Sequence, residues 1–301
     1  MSKTIFAAVV ILLMSLTVYG ESDELSKTLA EAESGDPNAQ NSLGLIYDLG
    51  QEVPQDYNEA VKWYTKASEQ GCAEAQFNLS WMYYKGQGVD QDYKEAFKWF
   101  TKAAEQGVAR AQYNVGWMYY NGQGVDQDYK KAVKWFTKAA EQRYVSAQYN
   151  LGLCYAKGEG VKQDYVEAVK WFAKAAEQGD ANAQCYLGVM YDLGQGVPQD
   201  FNKAIEWYTK AAQQGVAEAQ YDLGVMYYNG QGVDTRITKR LLSGIVRPLS
   251  RDMLVRSFFL AICTTKAKVL PKITKKRSSG TPRRQSRDMP LHSIILVLCA
   301  I

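Results

Sequence analysis

Few side chains in this 301-residue chain are equipped for catalysis. Its single histidine is His292, so a histidine-based catalytic triad or a histidine-ligated metal site lacks the groups it needs. The five cysteines follow no common spacing, and Cys154 stands where similar phrases carry methionine, which predicts a small buried hydrophobe. Glycines occur as Gly-x-Gly-Val and not as the Gly-x-Gly-x-x-Gly of a nucleotide-binding loop. We therefore predict no enzyme activity, no cofactor and no metal ion.

Aromatic side chains at regular spacing offer chemistry for recognition instead. Phe77, Trp81 and Tyr84 are spaced by four and three residues, which places them on one face of an α-helix, and the same spacing of aromatic residues returns 36 residues later. Such residues anchor interfaces at a low cost in entropy, and with asparagines beside them they could grip an extended peptide. The predicted partner-binding residues are Phe77, Asn78, Trp81, Tyr84, Tyr113, Asn114, Trp117, Tyr120, Tyr149 and Asn150.

Packing inside the fold is a second interpretation of the two tryptophans. Trp81 and Trp117 could lie against the adjacent helix of a stacked array, and the sequence favours neither alternative. Packing is a weaker explanation for Tyr84 and Tyr120. Substitution of both tryptophans separates the alternatives, because a binding surface would lose its ligand and keep its helicity, whereas a packing role would cost thermal stability.

The elements that position these residues belong to a unit of 36 residues. Counting its first alanine as position 1, positions 1, 5 and 9 are apolar and form one face of a first helix, which ends at Gly-x-Gly-Val. Glycine at position 6 in most copies indicates that another helix approaches closely. A second helix begins at an aspartate such as Asp56, which with Glu59 has capping-box spacing. The opening alanines are Ala39, Ala75, Ala111, Ala147, Ala183 and Ala219.

These phrases resemble the Sel-one-like repeat, a relative of the tetratricopeptide repeat, over roughly residues 25 to 234. The resemblance rests on Ala-Gln-x-x-Leu-Gly-x-x-Tyr, Gly-x-Gly-Val-x-x-Asp and Ala-x-x-Trp-x-x-Lys-Ala-Ala. It implies an all-α fold, a right-handed superhelical solenoid of stacked helix-turn-helix repeats whose concave face, lined by the first helices, binds proteins or peptides. Some bacterial members carry a β-lactamase label, so a cell-wall-directed hydrolase is the alternative; Ser-x-x-Lys, Ser-Asp-Asn and Lys-Thr-Gly are missing here, which disfavours it.

The ends of the chain differ from the repeats. Lys3, an apolar run and the small residue Gly20 predict a signal peptide at residues 1–20, hence a secreted or periplasmic protein with no stable membrane insertion after cleavage. The alternative, an uncleaved anchor, would need a longer apolar run. Residues 21–38 are predicted to form a capping half-repeat. The predicted repeats are 39–74, 75–110, 111–146, 147–182, 183–218 and a partial copy at 219–234.

Residues 235–301 form a basic tail with 15 Lys and Arg against 2 Asp and Glu, whereas residues 1–234 carry 20 against 30. An acidic body is a poor match to nucleic acid, so we expect an unidentified protein or peptide partner. Back-translation of residues 235–241 in another frame reads Gln-Asp-Tyr-Lys-Glu-Ala, the phrase of residues 91–96, and the tail keeps the 36-residue period. We interpret it as a frame-shifted, disordered continuation, which sequencing the gene would test; a non-functional allele is a further alternative.

Together these patterns predict an exported scaffold that holds a partner on the concave face of the repeat array and performs no catalysis.

Overall fold

The computed structural model describes residues 24–232, and every regular element in that range is an α-helix. The predicted signal peptide and the predicted tail lie outside the described residues. None of the described helices combines the length and apolar character that a membrane span requires. Helix α1 covers residues 24–33, and the others are α2 (Pro37–Leu49), α3 (Tyr57–Glu69), α4 (Ala73–Lys85), α5 (Tyr93–Glu105), α6 (Ala109–Asn121), α7 (Tyr129–Glu141), α8 (Val145–Lys157), α9 (Tyr165–Glu177), α10 (Ala181–Leu193), α11 (Phe201–Gln213) and α12 (Ala217–Asn229).

Within this range the chain divides into two compact units. The first contains residues 24–154 and 158–162, and the second contains residues 155–157 and 163–232. Inside each unit an even-numbered first helix packs against the odd-numbered second helix that follows it, as α6 packs on α7 and α10 on α11. Each second helix also contacts the next first helix, as α5 contacts α6. The described part of the chain is thus built from the helical hairpins that the sequence predicts.

Aspartate caps begin the second helices as predicted, but the reciprocal half of the capping box is not formed. The Asp56 carboxylate accepts hydrogen bonds from the backbone N–H groups of Asn58 (2.9 Å) and Glu59 (3.2 Å). Glu59 does not return to the cap; its carboxylate pairs with Lys62 at 3.0 Å. The backbone N–H of Asp56 instead donates to the carbonyl of Tyr47 at 2.9 Å, so the preceding helix satisfies it. The other aspartate N-caps are Asp92, Asp128, Asp164 and Asp200.

The two glycines of each Gly-x-Gly-Val turn have different roles. Gly122 ends α6 in the left-handed conformation, with φ of 68°, as the sequence predicts. Gly124 also has φ of 68°, and a Cβ atom there would overlap the carbonyl oxygen of Tyr93. The second glycine is therefore required because the turn passes directly over the start of the preceding second helix, α5.

Close contact between the helices of a hairpin confirms the prediction drawn from the glycine at position 6. A Cβ atom on Gly116 would lie 2.7 Å from Cδ1 of Phe136, so the ring from α7 rests directly on the backbone of α6. Cys154 is fully buried, as predicted. The core-forming rings of the second helices are Tyr64, Phe100, Phe136, Phe172 and Tyr208.

A buried glutamine at position 2 joins three consecutive helices. The side-chain amide of Gln112 in α6 donates to the carbonyl of Ala104 in α5 (3.1 Å), and its Oε1 accepts from Nε2 of Gln142 at the end of α7 (2.8 Å). Nε2 of Gln142 also lies 2.9 Å from the carbonyl of Gly107. These bonds tie a first helix to the second helices before and after it, and they recur in the pairs Gln40 with Gln70, Gln76 with Gln106, and Gln184 with Gln214.

Candidate functional site

The first unit carries the predicted aromatic residues of α4 and α6. We call the six side chains of these two helices at repeat positions 3, 7 and 10, counted from Ala75 and Ala111, the aromatic surface. They differ in burial and in the helices that they contact, although the two helices present almost the same sequence. The members are Phe77, Trp81, Tyr84, Tyr113, Trp117 and Tyr120.

Phe77 does not lie opposite the buried face of α4, and this part of the prediction is wrong. Its side chain is only 8% exposed. Its ring meets that of Phe100 in α5 edge to face, with 5.7 Å between centroids, and the Arg110 guanidinium lies 4.2 Å above it. Arg110, from the neighbouring first helix α6, is held in place by an ion pair with Glu74. Phe77 therefore belongs to the core, because the next repeat covers that side of the helix.

Trp81 is partly buried against the same core. Its ring is perpendicular to that of Phe100, with centroids 5.6 Å apart, and it also contacts Tyr84 at 5.2 Å on its own helix. The Lys85 ammonium lies 5.4 Å from the centre of the Trp81 ring. Packing therefore accounts for much of the Trp81 side chain, although its partner is the second helix of its own repeat, α5.

Trp117 occupies the equivalent position in α6 and is more open. It is 36% exposed, and its ring contacts are with Tyr113 and Tyr120 of its own helix. The ring centroids are 6.4 Å and 6.1 Å from that of Trp117, and the planes are inclined by only 27° and 14°. The three side chains thus form a row of nearly parallel rings with an exposed indole at its centre.

The tyrosines at position 10 are oriented by the loop of the following repeat. The hydroxyl of Tyr84 donates to Oε1 of Gln123 at 3.1 Å, and that of Tyr120 donates to the carboxylate of Glu159 at 2.5 Å. Burial and the Glu159 carboxylate raise the pKa of Tyr120 above its ordinary value, so the phenol stays a neutral donor at physiological pH. Sequence reasoning missed these two acceptors, although both lie at position 13, which is Gln or Glu in every repeat.

Tyr113 is half-buried between α6 and its neighbours. Its ring lies 5.8 Å from Phe136 and 5.2 Å from Tyr144, measured between centroids, and its side chain hydrogen-bonds to Asn150. Burial and the proximity of Tyr144 raise the pKa of Tyr113, while the bond to Asn150 lowers it. Tyr113 therefore lies beside the Trp117 ring and is itself held in position by residues of the fold.

The predicted asparagines direct their donors into the protein. Nδ2 of Asn78 donates to Oδ1 of Asn41 at 3.0 Å and so joins α4 to α2. Asn114 and Asn150 each donate at 2.8 Å to a backbone carbonyl four residues earlier in their own helices. Tyr149 is half-buried on α8. These residues lie on the first helices as predicted, but the structure gives their donors internal acceptors.

The ionisable groups of the described residues offer little other chemistry. Within residues 24–232, no group of three or more His, Cys, Asp or Glu side chains is placed to hold a metal ion. Burial raises the pKa of the Cys185 thiol to about 12, and nearby carboxylates add to the shift. A thiol of that pKa is protonated at physiological pH, so it is a poor nucleophile. The arrangement is therefore best suited to binding through ring faces.

Comparison with known proteins supplies a match for the repeat. The family model of the Sel1 repeat matches six segments, at residues 37–72, 73–108, 109–144, 145–180, 181–216 and 217–235. A protective antigen of uropathogenic Escherichia coli with an SLR fold is 35% identical, with a TM-score of 0.68 over 85% of this chain; the match spans only 53% of that protein. A Sel1 repeat protein from Oxalobacter formigenes is 34% identical, with a TM-score of 0.63 over 79% of this chain and 98% of its own. A search of curated proteins found no match.

Proposed function

Since this chain belongs to the Sel1 repeat family, we propose that it is an exported scaffold that binds a protein or peptide through its first helices. The predicted family resemblance and all-α repeat fold are confirmed. Sel1 repeat proteins commonly mediate protein–protein interaction, and the family is generally a non-catalytic scaffold. The location of the binding site on this chain, its export and its lack of catalysis are parts of our proposal.

The observation that carries the proposal is the exposed Trp117 ring between two fixed tyrosines. A rigid aromatic side chain that is already ordered loses little entropy on binding, which is why Trp and Tyr dominate binding hot spots. Tyr120 is held by Glu159, and Tyr113 is held against α7 and α8, so both flanking rings are preorganised. We place the centre of the binding surface at Trp117.

Trp81 and Phe77 have supporting positions in this proposal. Trp81 presents part of its ring beside Tyr84, whereas Phe77 lies beneath the surface and holds Trp81 in position at 6.4 Å between centroids. No described residue favours the hydrolase alternative by its geometry. The proposed contact set is therefore Trp81, Tyr84, Tyr113, Trp117 and Tyr120.

Selection of linear peptides from a random displayed library on the full-length chain tests the proposal. We expect a selected peptide to lose at least about 30-fold in affinity for Trp117→Ala, because truncating a hot-spot residue costs about 2 kcal/mol or more. A smaller loss is expected for Trp81→Ala. Circular dichroism at 222 nm should show unchanged helicity for Trp117→Ala.

Tyr221→Ala is the matched control, because Tyr221 is an aromatic residue on a first helix, α12, and is 57% exposed. Its affinity for the peptide should stay within about threefold of the unsubstituted chain. Equal losses for Tyr221→Ala and Trp117→Ala would reject the proposed location. A fall in melting temperature for Trp117→Ala, with unchanged peptide affinity, would instead assign this tryptophan to packing.

A further inference from the structure

The exposed face of α7 carries more positive charge than the same face of the other described second helices. In each second helix, repeat positions 20, 21, 24, 28 and 31 lie within an arc of about 100°, away from the buried alanines. In α7 they hold four lysines and one glutamate, a net charge of +3: Lys130, Lys131, Lys134, Lys138 and Glu141. The same positions hold two lysines and two glutamates in α3 and α9, three and two in α5, and two and one in α11.

The difference begins at Lys131, which stands where α3, α5 and α9 carry a glutamate. Each of those glutamates forms an ion pair with the lysine three residues later, as Glu95 does with Lys98 at 2.9 Å. In α7 the later lysine is Lys134, whose side chain is exposed and which has no ion-pair partner among the described residues. The α7 face therefore presents an ammonium group whose charge α3, α5 and α9 neutralise.

Helix stability does not account for the lysines at the start of α7. Lys130 and Lys131 lie in the first turn, which contains no acidic residue and where the helix dipole disfavours positive charge. The helices α3, α5 and α9 each place glutamate in this turn. Part of the charge is offset, because the Lys131 ammonium lies 3.6 Å from the Asp128 carboxylate and 5.2 Å from the centre of the Tyr119 ring. Residues that break a local rule in this way indicate a role outside the helix.

A second departure adds a cation directly after α7. Arg143 stands where the other four complete repeats have glycine, as at Gly107, and it adopts a positive φ of 65° that is unfavourable for a residue with a side chain. A Cβ atom added to Gly107 would meet nothing within 4 Å, so the backbone conformation alone opposes a side chain here. The Arg143 side chain is exposed and has no ion-pair partner among the described residues. Two independent substitutions thus add positive charge to the same second helix.

The spacing of the lysines matches that of side chains on an extended peptide. Lys130, Lys134 and Lys138 are four residues apart, so they follow one another along α7 in steps of about 6 Å. In an extended peptide every second side chain points to the same side, in steps of about 6.6 Å. The Lys138 ammonium is held 4.1 Å from the centre of the Trp135 ring. Carboxylates on alternate residues of an extended peptide can therefore pair with successive lysines of α7.

We propose that the exposed face of α7, together with Arg143, binds an extended acidic segment of a partner protein with Asp or Glu at alternate residues. The surrounding charges favour such a narrow ligand over an anionic membrane. Glu141 lies on the same face, and residues 1–234 carry 20 Lys and Arg against 30 Asp and Glu, so a broad anionic surface would be repelled. The aromatic surface lies on the first helices α4 and α6, so this second site goes beyond the proposed function and does not depend on it.

Fluorescence anisotropy of a labelled peptide of alternating aspartate and serine, mixed with the full-length chain at low ionic strength, tests the proposal. We expect saturable binding that weakens as salt is added. Lys131→Glu should weaken it about tenfold, because one cation becomes an anion and Lys134 gains the partner that its equivalents have. The melting temperature of Lys131→Glu should not fall, since the helix dipole favours glutamate in the first turn. Arg143→Gly should weaken binding about twofold or more.

Lys203→Glu is the matched control, because it makes the same change of charge at the same repeat position in α11. Lys203 also lies over a tyrosine, 5.1 Å from the centre of the Tyr191 ring. Its peptide affinity should stay within about twofold of the unsubstituted chain. Equal losses for Lys131→Glu and Lys203→Glu would overturn the proposal, because net charge or the basic tail would then account for binding. So would unchanged affinity in Lys131→Glu, or Lys131-dependent binding of phosphatidylglycerol vesicles without binding of the peptide.

Discussion

The buried Gln112 gives a sharp prediction about what holds the first helix α6 to the second helices α5 and α7. Gln112→Ala removes the bond to Ala104 and the bond from Gln142, while the Ala104 carbonyl keeps the backbone N–H of Gly107 at 3.1 Å. A net hydrogen bond contributes about 0.5–1.5 kcal/mol. Because two bonds are lost, we expect Gln112→Ala to lower the free energy of unfolding by about 1–3 kcal/mol.

Gln142→Ala has a smaller predicted cost. Of the two hydrogen bonds that Gln142 donates, the one to the Gly107 carbonyl is exposed to solvent. Its effect should be about 1–2 kcal/mol. The two substitutions break one bond in common, so the double variant should be destabilised by about 1 kcal/mol less than the sum of the single variants. This difference measures the glutamine pair directly.

The assay is urea unfolding of the full-length chain, monitored by circular dichroism. Because repeat arrays can unfold in stages, the dependence of the free energy of unfolding on urea concentration should be compared between variants. Gln91→Ala is the control: its amide donates to the exposed Tyr84 carbonyl at 2.9 Å, so it should cost under about 1 kcal/mol. If the effects of Gln112→Ala and Gln142→Ala add within about 0.3 kcal/mol, the hydrogen bond between the two glutamines does not stabilise the fold, and the prediction is wrong. A Gln112→Ala effect no larger than that of Gln91→Ala would refute the burial argument.

Two further predictions concern the turns and the amino terminus. Gly124→Ala should destabilise the chain by at least about 1 kcal/mol more than Gly122→Ala. Both substitutions place alanine at a positive φ, but only the Cβ atom at residue 124 overlaps the Tyr93 carbonyl, so equal urea midpoints would contradict the prediction. Expression in a bacterium with an export pathway should give a periplasmic protein whose intact mass corresponds to cleavage after Gly20, and retention of residues 1–20 on membranes would contradict the signal-peptide prediction.

Features that depend on one hairpin could be predicted from the sequence. Asp56 as an N-cap and the close approach at Gly116 follow from local rules of helix capping and helix packing, because all the groups involved lie within about 36 residues. The 36-residue period itself predicts that the hairpins stack on one another. The second helices are followed by a glycine with positive φ, such as Gly107, except after α7, where Arg143 adopts φ of 65°.

Features that depend on a contact with another helix or repeat were missed. Within one hairpin, the N–H of Asp56 bonds to Tyr47 in α2, which leaves Glu59 free to pair with Lys62. Position 3 appeared exposed because helical periodicity describes a single helix, whereas in the array Arg110 covers Phe77. The acceptors of the position-10 tyrosines come from the next loop in the same way.

The same dependence on neighbours explains why two nearly identical helices present different surfaces. Phe77 of α4 faces Arg110 of the next first helix, whose guanidinium covers the ring, whereas the residue equivalent to Arg110 in the following repeat is Ser146. A serine cannot cover an aromatic ring, and Tyr113 is instead bounded by Phe136 and Tyr144. Trp117 consequently stands beside a tyrosine with a polar hydroxyl and keeps its exposed face. A binding surface on such an array is therefore specified by pairs of adjacent repeats, and Arg110→Ser should make the Trp81 surface more like that of Trp117.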